Sequence, residues 1–422
     1  MRKLGGLDVV SSEVFSVLQL RAANDPLFPN IKTLDLWPPK DSIPFIPLFL
    51  SSKTTTINIG FSSSGFPKVM IASMITTFPR LCPELRDIRL YALPDDPMIT
   101  AAVSEMLLAS NRNTLRSFRV RSPLTEEARE VIYKLPDLRT LWAVIRKDTP
   151  LPLVVLPSLT DLLVVYEHDS DWLRLFRGAT LGPLEAVTFH TKSEQIGNFL
   201  EAFERVALAA SVQNTLSSFR LRTAHSWNPN YPSLHRFTHM TELLIDFSCD
   251  GGCSSTVDDD AITSLARAMP KLEILELGGP PCREIPTGVT AKGLVALAHH
   301  CHDLSSLRIH FQVASLGAPP TVSGMVFDVG STAPRRNCAL RDLEVGEIPM
   351  PEESVLMVAL TLAQFFPHIA GVDCVDENWF KVVDAICVPR EFVGYSSEEH
   401  PLSALRSNFS DTSIGAALED GS

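Results

Sequence analysis

Arginine recurs at one position of a short pattern that is repeated along the whole chain. The pattern is an apolar residue, two variable positions, an apolar residue, one variable position and a third apolar residue, as in Leu85 to Leu90. The planar guanidinium suits carboxylate and phosphate groups, and tryptophan and tyrosine add rigid contact area at low entropic cost. We expect these side chains to bind an acidic or phosphorylated segment of a partner protein. The candidate partner-binding residues are Arg89, Tyr91, Arg119, Arg121, Trp142, Arg220, Arg222, Arg308 and His310.

The alternation within each copy of the pattern is that of a β-strand with one buried face. The first, fourth and sixth residues of a copy then point into the core, and the third, fifth and seventh face a concave surface. A second interpretation of the arginines stays open, because exposed strand positions favour long solvated side chains and neighbouring acids can pair with them across strands. The acids placed to do so are Asp87, Asp161, Glu242, Glu276 and Glu344.

The sequence contains none of the common catalytic or cofactor motifs. It lacks a G-x-G-x-x-G turn, a phosphate-binding P-loop, a G-x-S-x-G elbow and an H-E-x-x-H helix. The histidine run at 299–302 and the pair Cys249 and Cys253 have no second pair at zinc-site spacing, and the histidines suit a helix end. The acids Asp258 to Asp260 lack the glycine and glutamate of a calcium loop and suit a helix start. We predict a protein that is not an enzyme and that holds no metal and no cofactor.

The pattern repeats at a spacing that defines the fold. Copies begin at Leu4, Ile31, Thr54, Leu85, Leu115, Leu138, Leu159, Leu184, Leu216, Met240, Leu272, Leu304, Leu340 and Ile369. The mean step is about 28 residues, which lies in the range of leucine-rich repeats. The asparagine of regular leucine-rich repeats is absent, so we expect an irregular, ribonuclease-inhibitor-like arrangement.

Helical patterns lie between the copies, with apolar residues three and four positions apart. Three of them follow residues that we expect to cap a helix, namely Thr125, Thr256 and Thr290. A strand–turn–helix unit cannot bury both of its faces alone, so such units stack into a solenoid. The predicted fold is an α/β leucine-rich-repeat solenoid with parallel strands on the concave face and helices on the convex face. The predicted helices are 98–110, 126–135, 194–209, 259–269, 291–300 and 352–366.

Composition limits the classes of partner and the location of the protein. The 422 residues carry a net charge of −12, which disfavours nucleic acids and anionic membranes as partners. The eight cysteines are scattered through a long chain, which is typical of reduced thiols in the cytoplasm or nucleus. Asp8 and Glu13 interrupt any secretory signal, and no apolar run is long enough to span a bilayer.

Proline or cysteine stands before several strands, as in FPNIKTLDLW, CPELRDIRLYAL, MPKLEILELGG and CHDLSSLRIHF. These segments, and above all residues 256–316, resemble the leucine-rich-repeat portion of fungal F-box proteins, especially those of mushroom-forming fungi. The segment Asn378 to Phe392 is similar to the closing segment of that family. The resemblance covers about Leu4 to Phe392.

The resemblance implies the substrate-binding part of a receptor in an SCF-type ubiquitin ligase, in which an F-box docks a Skp-type adaptor. The sequence departs from the family here, because the first copy begins at Leu4 and no F-box pattern is present. We therefore expect adaptor binding only if an F-box is encoded upstream; an F-box-less relative is the alternative. Two other functions stay open: a general leucine-rich-repeat scaffold unrelated to ubiquitin, and a hydrolase site concealed in the repeats. We expect residues 1–395 to form about 14 repeats and residues 396–422 to form a disordered tail rich in Ser and acids.

Overall fold

The computed structural model describes most of the chain between residues 26 and 386. The described residues are 14, 17–18, 26–38, 40–61, 67–110, 114–145, 154–166, 179–191, 200–201, 203–205, 207, 212–223, 234–247, 257–278, 288–313, 339–346, 348–374 and 376–386. The copy at Leu4 and the predicted tail at 396–422 lie outside them, so their structure stays a prediction.

Each of the other thirteen predicted copies forms one strand of a single sheet. Every strand begins two residues after the first apolar residue of its copy, and all neighbouring strands are parallel. The strands of this sheet are β1 (Thr33–Leu36), β2 (Thr56–Gly60), β3 (Asp87–Tyr91), β4 (Ser117–Val120), β5 (Thr140–Ile145), β7 (Asp161–Tyr166), β9 (Ala186–Thr191), β10 (Ser218–Thr223), β11 (Glu242–Phe247), β12 (Ile274–Leu277), β13 (Ser306–Ile309), β14 (Asp342–Gly346) and β15 (Gly371–Cys374). Two short strands, β6 (Val155–Leu156) and β8 (Thr180–Leu181), pair with each other in a second sheet.

Helices connect many of the strands. The described α-helices are α1 (Lys68–Leu81), α2 (Pro97–Ala109), α3 (Glu126–Ile132), α4 (Asp259–Ala268), α5 (Ala291–His300), α6 (Val355–Phe365) and α7 (Asn378–Ile386). One 3₁₀ helix of ten residues covers Lys40–Phe49, and three-residue 3₁₀ helices cover Val212–Asn214, Leu234–Arg236 and Glu352–Ser354. The predicted helices at 98–110, 126–135, 259–269, 291–300 and 352–366 are confirmed to within a few residues. Of the predicted helix 194–209, residues 200–201, 203–205 and 207 are helical, and the rest lies outside the described residues.

The core lies between the sheet and the helices. In the copy that starts at Leu85, the first, fourth and sixth residues are at most 3% exposed, as predicted. The apolar sides of the helices bury their residues in the same cluster. Full burial of each such side chain contributes about 1.5–3 kcal/mol, so the repeated pattern itself supplies the driving force for stacking. The chain is thus an α/β leucine-rich-repeat solenoid.

Two of the three predicted helix caps occupy the N-cap position, and the third is wrong. Thr290 does cap α5, and its Oγ1 accepts a hydrogen bond from the backbone N–H of Lys292 at 3.2 Å. Thr125 occupies the N-cap position of α3, but its side chain makes no capping hydrogen bond. The N-cap of α4 is Asp258 and not Thr256, because the Asp258 carboxylate accepts from the backbone N–H of Ala261 at 2.8 Å. A carboxylate is the better partner for the positive end of a helix.

Candidate functional site

The third, fifth and seventh residues of most copies point away from this core and stay partly exposed, as in β3, β12 and β13. We call the surface that they form the open face; Leu163 and His190 lie on it but are only 2% and 7% exposed. The parallel register lines up equivalent positions of the strands in rows that run across the sheet. The middle row contains Arg89 on β3, Arg119 on β4, Trp142 on β5, Arg220 on β10 and Arg308 on β13. The outer row lies two residues further along each strand. It contains Tyr91, Val144, Val165, His190, Arg222 and Asp246, and Arg121 directly follows β4 on the same side.

Acids from other strands pair with three of the four middle-row arginines, namely Arg119, Arg220 and Arg308. The shortest pair joins Arg119 Nη2 to Asp161 Oδ2 at 2.9 Å and passes over β5 to reach β7. Arg308 lies between two glutamates on the adjacent strands, with Nε 3.3 Å from Glu344 Oε1 and Nη1 3.9 Å from Glu276 Oε2. The cross-strand interpretation left open by the sequence therefore holds for these arginines.

Two further pairs join β10 to β11. Arg220 Nη2 lies 3.2 Å from Glu242 Oε2, and Arg222 Nε lies 3.5 Å from Asp246 Oδ2. Each of these four side chains keeps between 31% and 41% of its surface exposed. Pairs at this level of exposure contribute only about 0–1 kcal/mol each, so they orient the guanidinium groups without locking them. Asp87, the fifth predicted acid, accepts a hydrogen bond from Thr56 Oγ1 at 3.3 Å.

Some of the charged groups in these rows are shielded from water. Burial raises the pKa of Asp161 even though Arg119, Arg220 and Arg89 all oppose the shift. The Nε atoms of Arg89 and Arg119 are buried and have no hydrogen-bond partner among the described residues. A buried guanidinium N–H without an acceptor is costly, so these two atoms disfavour the folded state.

Three aromatic side chains stand next to the arginines at the β1 side of the sheet. Trp37 and Tyr91 are stacked with ring centroids 6.1 Å apart and planes 7° apart, and Tyr91 meets the Trp142 ring edge-on at 5.8 Å. Trp37 lies over Gly60, where an added Cβ atom would be only 2.2 Å from the indole ring. Glycine at this position on β2 is therefore what allows the two rings to stack across the strand.

Trp142 joins the aromatic group to the cations. The guanidinium carbon of Arg119 is 5.6 Å from the centre of the Trp142 ring, and that of Arg121 is 5.9 Å from it. Such cation–π contacts contribute about 0.5–1 kcal/mol at exposed sites and more when desolvated. The predicted residues Tyr91, Arg119, Arg121 and Trp142 thus form one contiguous cluster.

His190, which was not among the residues predicted from the sequence, lies between Arg121 and Arg222. Its ring is 7% exposed, Arg121 Nη2 lies 3.3 Å from His190 Nδ1, and Arg222 is its register partner on β10. Burial, followed by the charges of Arg121 and Arg222, lowers the pKa of His190 to about 3. The imidazole is therefore neutral at physiological pH. Its Nδ1 accepts from Arg121, which assigns the remaining proton to Nε2.

Trp37 and His190 were not among the predicted site residues, but the sequence pattern could have identified both. Each is the seventh residue of its copy, and that position was predicted to face outward. His310, which was predicted, occupies the same position on the other half of the sheet. Its ring lies over Gly278, whose φ is +140° and whose added Cβ atom would be 2.9 Å from His310 Cδ2. Arg308 and His310 therefore lie on the open face, but away from the cluster around Trp142.

The described residues contain no group of three histidine, cysteine or acidic side chains placed to hold a metal ion. His299 and His300 lie in the last turn of α5, as predicted. Cys249 and Cys253 lie outside the described residues. Cys82 and Cys301 are buried free thiols, and burial raises the pKa of Cys82 to about 11 and that of Cys301 to about 12. Neither thiol is a nucleophile near neutral pH.

None of the helices in the described ranges is both long and apolar enough to cross a bilayer.

No protein-family model matches the chain, and no curated protein matches it. Among solved structures, the chain is similar to an internalin (inlF) from Listeria monocytogenes, at 11% sequence identity. The match covers 88% of this chain and 92% of that chain, with a TM-score of 0.34.

Proposed function

We propose that this protein is a non-enzymatic recognition scaffold that binds a partner protein on its open face. The observation that carries the proposal is the contiguous cluster of Tyr91, Arg119, Arg121, Trp142 and His190, which is built on the strands of the open face. Aromatic and arginine side chains dominate the binding energy of protein interfaces. Rigid strands also hold the cluster in place before binding, which lowers the entropic cost of association.

The partner segment that fits this cluster is acidic or phosphorylated. Arg121, Arg222 and the Nε2–H group of the neutral His190 are hydrogen-bond donors within a short distance of one another. A carboxylate or phosphate can also replace Asp161 or Glu242 as the partner of an arginine, because exposed ion pairs are weak. The exposed Trp37, at 50%, offers an apolar surface beside the charges.

We propose that the wider role is that of the substrate-binding part of an F-box-type receptor, acting in the cytoplasm or nucleus. The support for this role is the resemblance of residues 256–316 and Asn378 to Phe392 to the repeats of fungal F-box proteins. A general leucine-rich-repeat scaffold without a link to ubiquitin is the alternative. Co-expression with a Skp-type adaptor tests the role, using this chain and an upstream-extended version. Retention of the adaptor by the extended version supports the role, and its loss from both versions ends it without affecting the scaffold proposal.

A pull-down from the source cells tests the scaffold proposal. It compares the wild-type protein with an open-face variant in which glutamine replaces all four of Arg119, Arg121, Arg220 and Arg222. The matched control replaces Arg86, Arg116 and Arg139, which are exposed and stand just before strands β3, β4 and β5. We expect the open-face variant to lose the partner, the control to retain it, and both to keep the wild-type melting temperature. Phosphatase treatment of the lysate separates a phosphorylated segment from an acidic one. Equal capture by the open-face variant and the wild-type protein would refute the proposal.

A further inference from the structure

From β3 to β15, charges on the open face are segregated by sign; β1, outside this stretch, has the acid Asp35 in the middle row. From β3 to β10, the three facing rows contain the five arginines Arg89, Arg119, Arg121, Arg220 and Arg222 against the two acids Asp87 and Asp161. We call this part the basic half; its described facing residues have a net charge of +3.

From β11 to β15 the sign is reversed. The facing acids there are Glu242, Asp246, Glu276, Asp342, Glu344 and Asp373, against the single arginine Arg308. We call this part the acidic half; its described facing residues have a net charge of −5.

The boundary between the halves falls between two adjacent strands. Arg220 and Arg222 are on β10, and their partners Glu242 and Asp246 are on β11. The sign thus changes within one strand spacing, which is about 4.8 Å. The two ion pairs that cross this boundary neutralise two charges of each half, so the charge that remains outside them is +1 in the basic half and −3 in the acidic half.

The halves are long enough for a ligand to meet them separately. The basic half spans five strand spacings and the acidic half four, which correspond to about 24 Å and about 19 Å. Both lengths exceed the Debye length of about 8 Å at physiological ionic strength, so the outer part of each half is little affected by the charges of the other. A uniformly acidic segment that extended across the sheet would be attracted at one half and repelled at the other.

We propose that the open face binds a two-signed segment, with its acidic part on β3 to β10 and its basic part on β11 to β15. This inference rests on the proposed recognition function and adds the chemistry and the orientation of the partner. An extended chain of about six residues covers about 20 Å, so each signed block of the partner needs only about six residues. The segregation also fixes the direction of the segment, because the reversed orientation places like charges together in both halves.

Fluorescence anisotropy with labelled synthetic peptides tests the inference at about 0.15 M salt. One peptide is a block of about six glutamates, one is a block of about six lysines, and the diblock joins them through a Gly-Ser linker. The basic-half variant is Arg121→Gln with Arg222→Gln, and the acidic-half variant is Asp342→Asn with Asp373→Asn. The matched controls away from the open face are Arg86→Gln with Arg116→Gln, and Glu130→Gln with Glu353→Gln, all four being exposed.

We expect the diblock to bind at least tenfold more tightly than either block alone, because the second block binds at a high effective concentration. The acidic-half variant should weaken the lysine block and the diblock by several-fold and leave the glutamate block unchanged. The basic-half variant should do the converse, and the control variants should bind all three peptides as the wild-type protein does.

Three outcomes would contradict these expectations, and they can be told apart. If the acidic-half variant binds the diblock as the wild-type protein does while the basic-half variant does not, the two-signed inference fails and the recognition proposal stands. If neither variant changes the binding of any peptide, both fail. If the control variants weaken binding as much as the open-face variants, the peptides respond to the overall field of the protein, and the inference is overturned.

Discussion

His190 should make the protein less stable as the pH falls below about 6.5. Its imidazole is 7% exposed, and burial, Arg121 and Arg222 together lower its pKa to about 3 in the folded protein. In the unfolded chain the same group titrates near the ordinary value of about 6.5. Between these two pH values the unfolded chain binds a proton that the folded protein does not bind. The stabilisation is therefore fully present above pH 6.5 and decreases as the pH falls toward 3.

The size of this effect follows from the shift. A pH of 5 lies about 1.5 units below the pKa of the unfolded chain and well above that of the folded protein. Each unit lowers the free energy of unfolding by about 1.36 kcal/mol, so the loss at pH 5 is about 2 kcal/mol. His190→Gln removes the titrating group and keeps a neutral side chain that can accept from Arg121. The difference between wild type and variant therefore isolates this one group, because all other titrating groups are common to both proteins.

Urea unfolding of both proteins at pH 7 and pH 5 measures the effect. We expect the wild-type protein to lose about 2 kcal/mol more than His190→Gln over this interval. A direct check is an NMR titration of the His190 ring, assigned by its absence from the variant, which should show no protonation in the folded protein down to pH 5. Equal losses of free energy in the two proteins, or a ring that protonates near pH 6, would refute the described packing between the two arginines.

Three further substitutions test the packing that supports the open face. Gly60→Ala brings a Cβ atom within 2.2 Å of the Trp37 ring, so we expect loss of its aromatic stack at a cost of about 1 kcal/mol; an unchanged near-ultraviolet circular dichroism spectrum would contradict this. Asp259→Ala removes the acceptor of three hydrogen bonds from the start of α5 and should cost about 2 kcal/mol in urea unfolding. Its neighbour Asp260→Ala removes only an exposed ion pair, and an equal cost for both would show that the three bonds contribute nothing. Trp379→Ala empties a fully buried site and should cost about 3–5 kcal/mol, and a cost below 1 kcal/mol would place this side chain outside the core.

The core and the outward-facing positions could be predicted from the sequence because both depend on a local period of two residues. The copies from Ile31 to Ile369 each supply a strand, and most of their buried positions fall where the pattern puts them. Among the exceptions are Leu163, a predicted outward residue that is 2% exposed, and Ile31, Val372 and Cys374, which are predicted core residues that stay partly exposed. The same rule applied to every copy would also have found Trp37 and His190. The rule does not predict which side chains of different repeats contact each other, because the connections between the strands vary in length.

Arg119 illustrates that limit. Its acid partner is Asp161, two strands away in the sheet, and this pairing depends on β5 and β7 being neighbours while β6 lies elsewhere. Asp259 is a second example. It was predicted at the start of its own helix, yet its carboxylate accepts hydrogen bonds from the backbone N–H groups of Thr290 and Gly293 in the next repeat. Stacking of repeats decides both contacts, and the sequence of one repeat does not encode it.

The ion pairs of the open face are compatible with binding there. Each partly exposed pair contributes about 0–1 kcal/mol. Ordering a long arginine side chain costs about 2 kcal/mol or less in lost rotamer entropy. Asp161 and Glu242 hold Arg119 and Arg220 in place before a ligand arrives, so part of that ordering cost falls on folding. An incoming carboxylate or phosphate then needs only to displace or share a weak partner. Because the parallel register lines these groups up across the sheet, the order of the repeats along the chain determines the order of charges that a partner must match.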